Sequence, residues 1–205
     1  MQLPSKIVCV GRNYALHAKE MGNDVPKEPL LFLKPSSSII REGEAIVLHP
    51  VSTHIEYEGE IAVIVGSRLS KAASEAEAVK AIGGIVALND VTARDLQKND
   101  GQWARAKGLD TFCPIGIPVA PPADLDSIEL VTRLNGQEVQ RAKGGDMVFK
   151  IPFLLHYISQ YLTLEPGDIV ATGTPHGVGR LSPGDVVEVE LVGLSRVSNP
   201  VAAAG

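Results

Sequence analysis

Aromatic side chains are scarce in this chain, 4% of 205 residues. No apolar run reaches the roughly 18 to 20 residues that span a bilayer, which excludes a membrane-spanning helix. Met1-Gln2-Leu3-Pro4 has neither the charged nor the apolar region of a secretory signal, so a soluble, cytoplasmic protein is expected. Only two cysteines occur, Cys9 and Cys113, too few for a disulfide framework. Cys9 lies in the apolar run Lys6-Ile7-Val8-Cys9-Val10 and reads as a buried free thiol. Basic runs are absent and 24 acids outnumber 19 bases, for a net charge of -5, which argues against a nucleic-acid partner.

What is present is 44% apolar residues, enough for one folded domain spanning 1–205. Twenty glycines and fourteen prolines are spread along the chain, with short β-branched runs between them. That pattern predicts a mixed, predominantly β fold with a few short helices. Strands are expected near 6–11, 30–34, 45–48, 61–65, 85–89, 115–119, 128–134, 138–141, 169–172 and 186–191. Asn135-Gly136 between two of them signals a hairpin, because both residues tolerate positive φ. Pro166-Gly167-Asp168 and Pro183-Gly184-Asp185 read as type II turns, each feeding a strand. Helices are expected at 14–21, at 75–82 behind a Ser74/Glu77 capping box, and at 151–162 with Pro152 in the first turn.

The most informative stretch runs from His54 to Gly66. Side chains at i and i+2 of a strand share a face, so Glu56, Glu58 and Glu60 point the same way and lead into an apolar run. Burying like charges together is costly unless a cation intervenes, and hard divalent ions favour carboxylate oxygen. A second acid, Asp90, ends the apolar strand Ile85–Asn89 and could complete a three-carboxylate site with two of the glutamates. Spacing alone leaves open which two, and a solvated strand edge fits Glu-x-Glu as well.

Seven segments stand in a telling order: Gly11-Arg12-Asn13-Tyr14, Leu31-Phe32-Leu33-Lys34-Pro35, Glu58-Gly59-Glu60, Asn89 to Asp95, Ala106-Lys107, Asp110-Thr111-Phe112 and Gly173-Thr174-Pro175. In that order they resemble the fumarylacetoacetate hydrolase family, closest to its short acylpyruvase and oxaloacetate decarboxylase-like members. The likeness runs from about Lys6 to Val197. It implies Mg²⁺ or Mn²⁺ held by Glu58, Glu60 and Asp90, with no ligand role for Glu56. It also implies a barrel-like β-roll of mixed strands and a homodimer.

A small 2-oxo acid is then the expected substrate, since its 2-oxo and carboxylate oxygens can chelate such an ion, which stabilises the charge of an enolate. Arg94 and Gln97 lie four and seven residues beyond Asp90, so one helical turn would present all three on one side. By resemblance Arg94 and Gln97 contact substrate oxygens, Lys107 stands beside the metal, and Thr174 donates to the substrate carboxylate. His17 and Glu20 can meet at i, i+3 spacing, a sound general-base pair. By resemblance they belong to a lid over about 12–25 that orders over substrate, with Gly22 of Met21-Gly22-Asn23-Asp24 a candidate hinge. Among the remaining histidines, His54 is placed above the glutamate strand, His156 in the core or an interface, and His176 in a loop near the pocket. Gly108-Leu109 departs from relatives that often carry an aromatic there.

Hydrolytic C–C cleavage of an acylpyruvate is the leading expectation, because His17 and Glu20 supply a water-activating pair. Oxaloacetate decarboxylation comes next, then isomerisation of an unsaturated 2-oxo diacid of the 2-hydroxyhepta-2,4-diene-1,7-dioate or 5-carboxymethyl-2-hydroxymuconate type. A non-enzymatic β-rich module that holds a structural ion is the competing class. A frayed tail is expected over 199–205.

Overall fold

The computed structural model describes residues 3–20, 22 and 24–204. Its first strands are β1 (Ile7–Gly11), β2 (Leu30–Lys34), β3 (Ile39–Ile40), β4 (Ile46–Leu48), β5 (Ile55–Tyr57) and β6 (Gly59–Val65). The middle run is β7 (Ile82–Asn89), β8 (Thr92–Ala93), β9 (Cys113–Pro114), β10 (Glu129–Leu134) and β11 (Gln137–Lys143). The last four are β12 (Ile169–Ala171), β13 (Gly179–Arg180), β14 (Val186–Leu191) and β15 (Ser195–Ala203). Five short helices accompany them: α1 (Ala15–Glu20), α2 (Glu75–Val79), α3 (Arg94–Asn99), α4 (Ala104–Lys107) and α5 (Ile151–Tyr161).

Two five-stranded sheets form the framework, in orders β2-β1-β12-β6-β7 and β11-β10-β14-β15-β4. Both are mixed: β1 runs parallel to β12 and β15 parallel to β4, and the other pairs are antiparallel. Smaller sheets β13-β5-β8 and β3-β9 complete the set. The mixed, strand-rich roll with a few short helices matches expectation, and none of its sheets closes on itself. The expected frayed tail is corrected as well: residues 199–203 end β15, and Val201, buried, pairs with Ile46. Burial alternates along this strand, but polar Ser195 and Asn199 share the inward positions with Val197 and Val201, so no apolar alternation marked it in the sequence.

Apolar β1, β6 and β7 are covered on both faces, which is why they read as continuous hydrophobic runs. One face packs on α5, whose Ile151, Leu154, Leu155 and Ile158 are buried with Val8, Ile61 and Ile85. Cys9 and Cys113 are buried free thiols, as expected for Cys9. Asn135 and Gly136 take φ of 53° and 80° and close the β10–β11 hairpin.

Both proline-glycine turns put glycine at φ near 90° and add an aspartate clamp. Asp168, fully buried, accepts from the amides of Ser5, Lys6 and Glu165, from the Ser5 hydroxyl and from Lys6 Nζ. It thereby ties the start of the chain to the entrance of β12. Burial alone would raise its pKa, but the Glu165 amide, Lys6 and Ser5 outweigh it and hold the carboxyl below its ordinary 3.8. The stabilisation is therefore complete above pH 3.8 and disappears as pH falls through the lowered native value. Asp168→Asn should cost about 2 kcal/mol at pH 7 by urea unfolding, and the two proteins should converge in stability as the pH is lowered through this range.

Candidate active site

The β6–β7 pair ends with Gly59 opposite Asn89, so Glu58 and Asp90 emerge side by side from adjacent strands. The Asp90 amide donates to the Glu58 carbonyl (2.8 Å), and the Glu58 amide donates to Asn89 Oδ1 (2.9 Å). Gly59 permits this junction, since a Cβ there would collide with Thr132 Oγ1 of β10. Glu60, two residues along, shares the face of Glu58 and accepts from the Gly173 amide (2.8 Å). Glu58, Glu60 and Asp90 are all buried, and each offers a carboxylate oxygen within 4.8 Å of the others. This all-oxygen donor set fits a hard divalent cation.

Cations surround these acids. Lys107 Nζ lies 2.7 Å from Glu58 Oε2 and 2.6 Å from Asp90 Oδ2, and 5.1 Å from the centre of the Phe32 ring. Arg94 ion-pairs with Glu58 through Nη2 (2.6 Å) and with Glu56 through Nε (2.6 Å). Glu56 also meets His54 Nε2 at 2.9 Å. Glu56 is thus one step outside the acidic cluster, joined to it through Arg94. Burial pushes the Glu58 carboxyl up, but Lys107 and Arg94 outweigh it and hold it well below the usual glutamate range. Glu60 goes the other way: burial, then the charges of Asp90 and Glu58, raise it well above 4.5. Two neighbouring carboxyls driven apart in this manner mark a functional site.

Lys34 completes the cluster, and sequence analysis had quoted it only within a motif. Fully buried at the end of β2, its Nζ donates to Asp90 Oδ1 (2.6 Å) and to the carbonyl of Lys107. A lysine closing an apolar strand just before a proline was the available signal. Lys34→Met leaves one side of buried Asp90 uncompensated and should lower stability by about 3 kcal/mol, read from urea unfolding.

A cavity of about 260 Å³ opens onto the carboxylates and is lined by Glu58, Glu60, Asp90, Arg94, Gln97, Lys107, Thr174 and His17. Val10, Gly11, Arg12, Phe32, Lys98 and Trp103 line it too. Of the predicted site residues, only Glu20 is not in its wall. Glu20, exposed at the end of α1, lies 3.2 Å from His17 Nδ1 and accepts from the Gly177 amide (3.0 Å). Met21 and Asn23, part of the expected lid hinge, lie outside the described residues, and Gly22 has φ 69°.

Asp90 precedes β8 and does not share a helix with Arg94 and Gln97, which corrects the expected single turn. Instead the strand end and α3 converge on the cavity, and Arg94 Nη1 donates to Gln97 Oε1 at 2.9 Å. Thr174 Oγ1 accepts from Gln140 Nε2 (2.8 Å), leaving its own proton free for the cavity. Gly108 has no room for a side chain: a Cβ there would lie 2.5 Å from the Ala104 carbonyl oxygen and 2.8 Å from Pro35 Cδ. Trp103, edge-on to Phe32 at 5.3 Å, supplies an aromatic wall from α4's entrance. His176 stands in a separate cavity beside Tyr14 and Arg141.

The family model described as fumarylacetoacetate hydrolase, C-terminal, matches residues 6–202. The chain belongs to the fumarylacetoacetate hydrolase family. It is similar to a mitochondrial oxaloacetate tautomerase of Arabidopsis thaliana, 45% identical over 94% of this chain and 89% of that protein. A mitochondrial oxaloacetate decarboxylase of Dictyostelium discoideum is 41% identical, over 92% of this chain and 89% of that one. The solved structure of a 5-carboxymethyl-2-hydroxymuconate delta-isomerase from Mycobacterium smegmatis superposes with a TM-score of 0.91 at 42% identity. That match covers 99% of this chain and 80% of the other. No helix among the described residues is long and apolar enough to cross a membrane.

Proposed function

We propose that this family member is a divalent-metal-dependent enzyme that hydrolyses acylpyruvate-type 2,4-dioxo acids to pyruvate and a carboxylic acid. The observation that carries the reading is one small cavity in which Glu58, Glu60 and Asp90 converge beneath a histidine paired with a glutamate. When bound, Mg²⁺ or Mn²⁺ supplies Lewis-acid stabilisation of negative charge at the substrate's 2-oxo oxygen. Glu58, Glu60 and Asp90 hold it. Thr174 donates its free hydroxyl proton to the substrate carboxylate, and Gln97 offers its amide N–H groups, its oxygen being taken by Arg94. Glu58 and Asp90 take two of the three Lys107 N–H donors, and the third would serve a developing oxyanion.

His17 uses Nδ1 to face Glu20, which leaves Nε2 as the base. It takes a proton from water, whose oxygen adds to the C4 carbonyl. The C3–C4 bond then breaks, and its electron pair flows toward the 2-oxo oxygen before C3 is reprotonated.

A second reading is favoured by the relatives named for oxaloacetate: tautomerisation or decarboxylation in the same cavity, which needs the cation but no nucleophilic water. Oxalate mimics the enolpyruvate common to these reactions. Titrating oxalate calorimetrically with and without Mg²⁺ should show binding that requires the cation. Equal binding in both titrations overturns the metal-dependent reading and returns the acids to a structural role.

A further inference from the structure

We infer that Gln140, buried in β11 outside the cavity wall, is a positioning residue that compels the Thr174 hydroxyl to donate toward the bound ligand. That role rests on the 2-oxo acid reading, in which Thr174 meets a substrate carboxylate, and it adds what fixes the direction of that hydrogen bond.

The partners of Gln140 leave its side-chain amide a single orientation. The Gly59 amide can only donate, so it faces Oε1 (3.0 Å), and the Pro175 carbonyl can only accept, so it faces Nε2 (2.9 Å). Turned over, the amide would set donor against donor and acceptor against acceptor in a buried place, at the cost of both bonds. The second Nε2 proton then goes to Thr174 Oγ1 (2.8 Å). Thr174 is buried too, and no described residue accepts its proton. With a lone pair of the hydroxyl engaged and no acceptor in the protein, its proton is left to serve the cavity that Thr174 lines.

The same amide ties two halves of the site together. Gly59 stands between Glu58 and Glu60, so its bond to Gln140 holds the backbone that aims both carboxylates. On the other side, the loop 173–177 carries Thr174, the Gly173 amide that meets Glu60 (2.8 Å) and the Gly177 amide that meets Glu20 (3.0 Å). The Tyr57 hydroxyl donates to the Gly177 carbonyl (3.0 Å) and steadies the end of the loop. β11 lies hard against it: a Cβ on Gly177, whose φ is 93°, would lie 2.2 Å from the Val139 carbonyl oxygen. That close approach brings Gln140, the next residue, within reach of both Thr174 and Pro175. Held by backbone groups of two elements, Gln140 presets the Thr174 hydroxyl before a ligand arrives.

Calorimetric titration of oxalate in the presence of Mg²⁺ tests this without turnover. Gln140→Glu keeps an acceptor for Gly59 but has no N–H, so the Thr174 proton turns from the cavity to the new carboxylate. Oxalate binding should weaken about thirtyfold, the scale of a hydrogen bond to a charged group. Thr174→Val should weaken it to a similar degree, and adding Gln140→Glu to Thr174→Val should change it by less than about threefold. A displaced loop, or a charge acting through space, would weaken both backgrounds alike. Gln140→Met brings no charge and should cost about fivefold with Thr174 present and almost nothing without its hydroxyl. It decides the matter if the buried glutamate unfolds the protein. Wild-type affinity in any single variant, or equal losses with and without the Thr174 hydroxyl, overturns the role of Gln140 alone. Absence of Mg²⁺-dependent oxalate binding in the wild type overturns it together with the 2-oxo acid reading.

Discussion

Glu60→Gln should abolish tight Mn²⁺ binding and lower turnover of any 2-oxo acid by about 10³-fold, the scale of a lost Lewis acid. The amide keeps the shape of the side chain and can still face the Gly173 amide, so the fold should persist. What it cannot do is supply charge to an ion lodged between Glu58 and Asp90. The same residue sets a pH dependence. Burial and its two acidic neighbours raise the Glu60 carboxyl well above 4.5, so the cation must displace a proton there. Affinity for Mn²⁺ should therefore strengthen as pH climbs toward the Glu60 pKa and level off above it. The variant should lose that slope. An unchanged slope, or undiminished turnover, would remove Glu60 from the metal site.

His17→Ala separates the two candidate reactions. Hydrolysis of acetylpyruvate needs a base for water and should fall by about 10³-fold, within the usual range for general-base catalysis. Decarboxylation of oxaloacetate needs no such water and should fall by less than about tenfold. Glu20→Gln should reproduce a weaker version of the same split, because Glu20 acts through the imidazole and not on substrate. If His17→Ala reduces both reactions alike, the histidine shapes the cavity and the water-activating role is wrong.

The strands that carry the acids were legible because they obey simple periodicities. Ile61–Val65 and Ile85–Leu88 are unbroken apolar runs, so their burial was written in composition, and the ends where Glu60 and Asp90 emerge followed. Two-residue alternation put Glu56, Glu58 and Glu60 on one face without choosing among them, the resemblance selected Glu58 and Glu60, and Asn135-Gly136 followed from its tolerance of positive φ. The division of labour between Glu56 and Glu58 was not legible from spacing. It is visible only in the fold, where Glu58, Glu60 and Asp90 gather carboxylate oxygens within 4.8 Å while Glu56 turns to His54 and to Arg94, a residue 38 positions away in sequence. Lys34 escaped notice for the same reason, since its partner Asp90 is brought to it only by the sheet.

The parallel pairing of β1 with β12 has a consequence for synthesis. Residues 7–9 can pair with β2 early, but their other edge stays open until residues 169–171 exist, and residues 46–48 wait longer still for 201–203. While the ribosome is still extending the polypeptide, these early segments are apolar ribbons with vacant edges, vulnerable to one another on neighbouring nascent chains. Maturation of this protein is therefore a race between completing translation and aggregating, and holdase chaperones should decide its yield at elevated temperature.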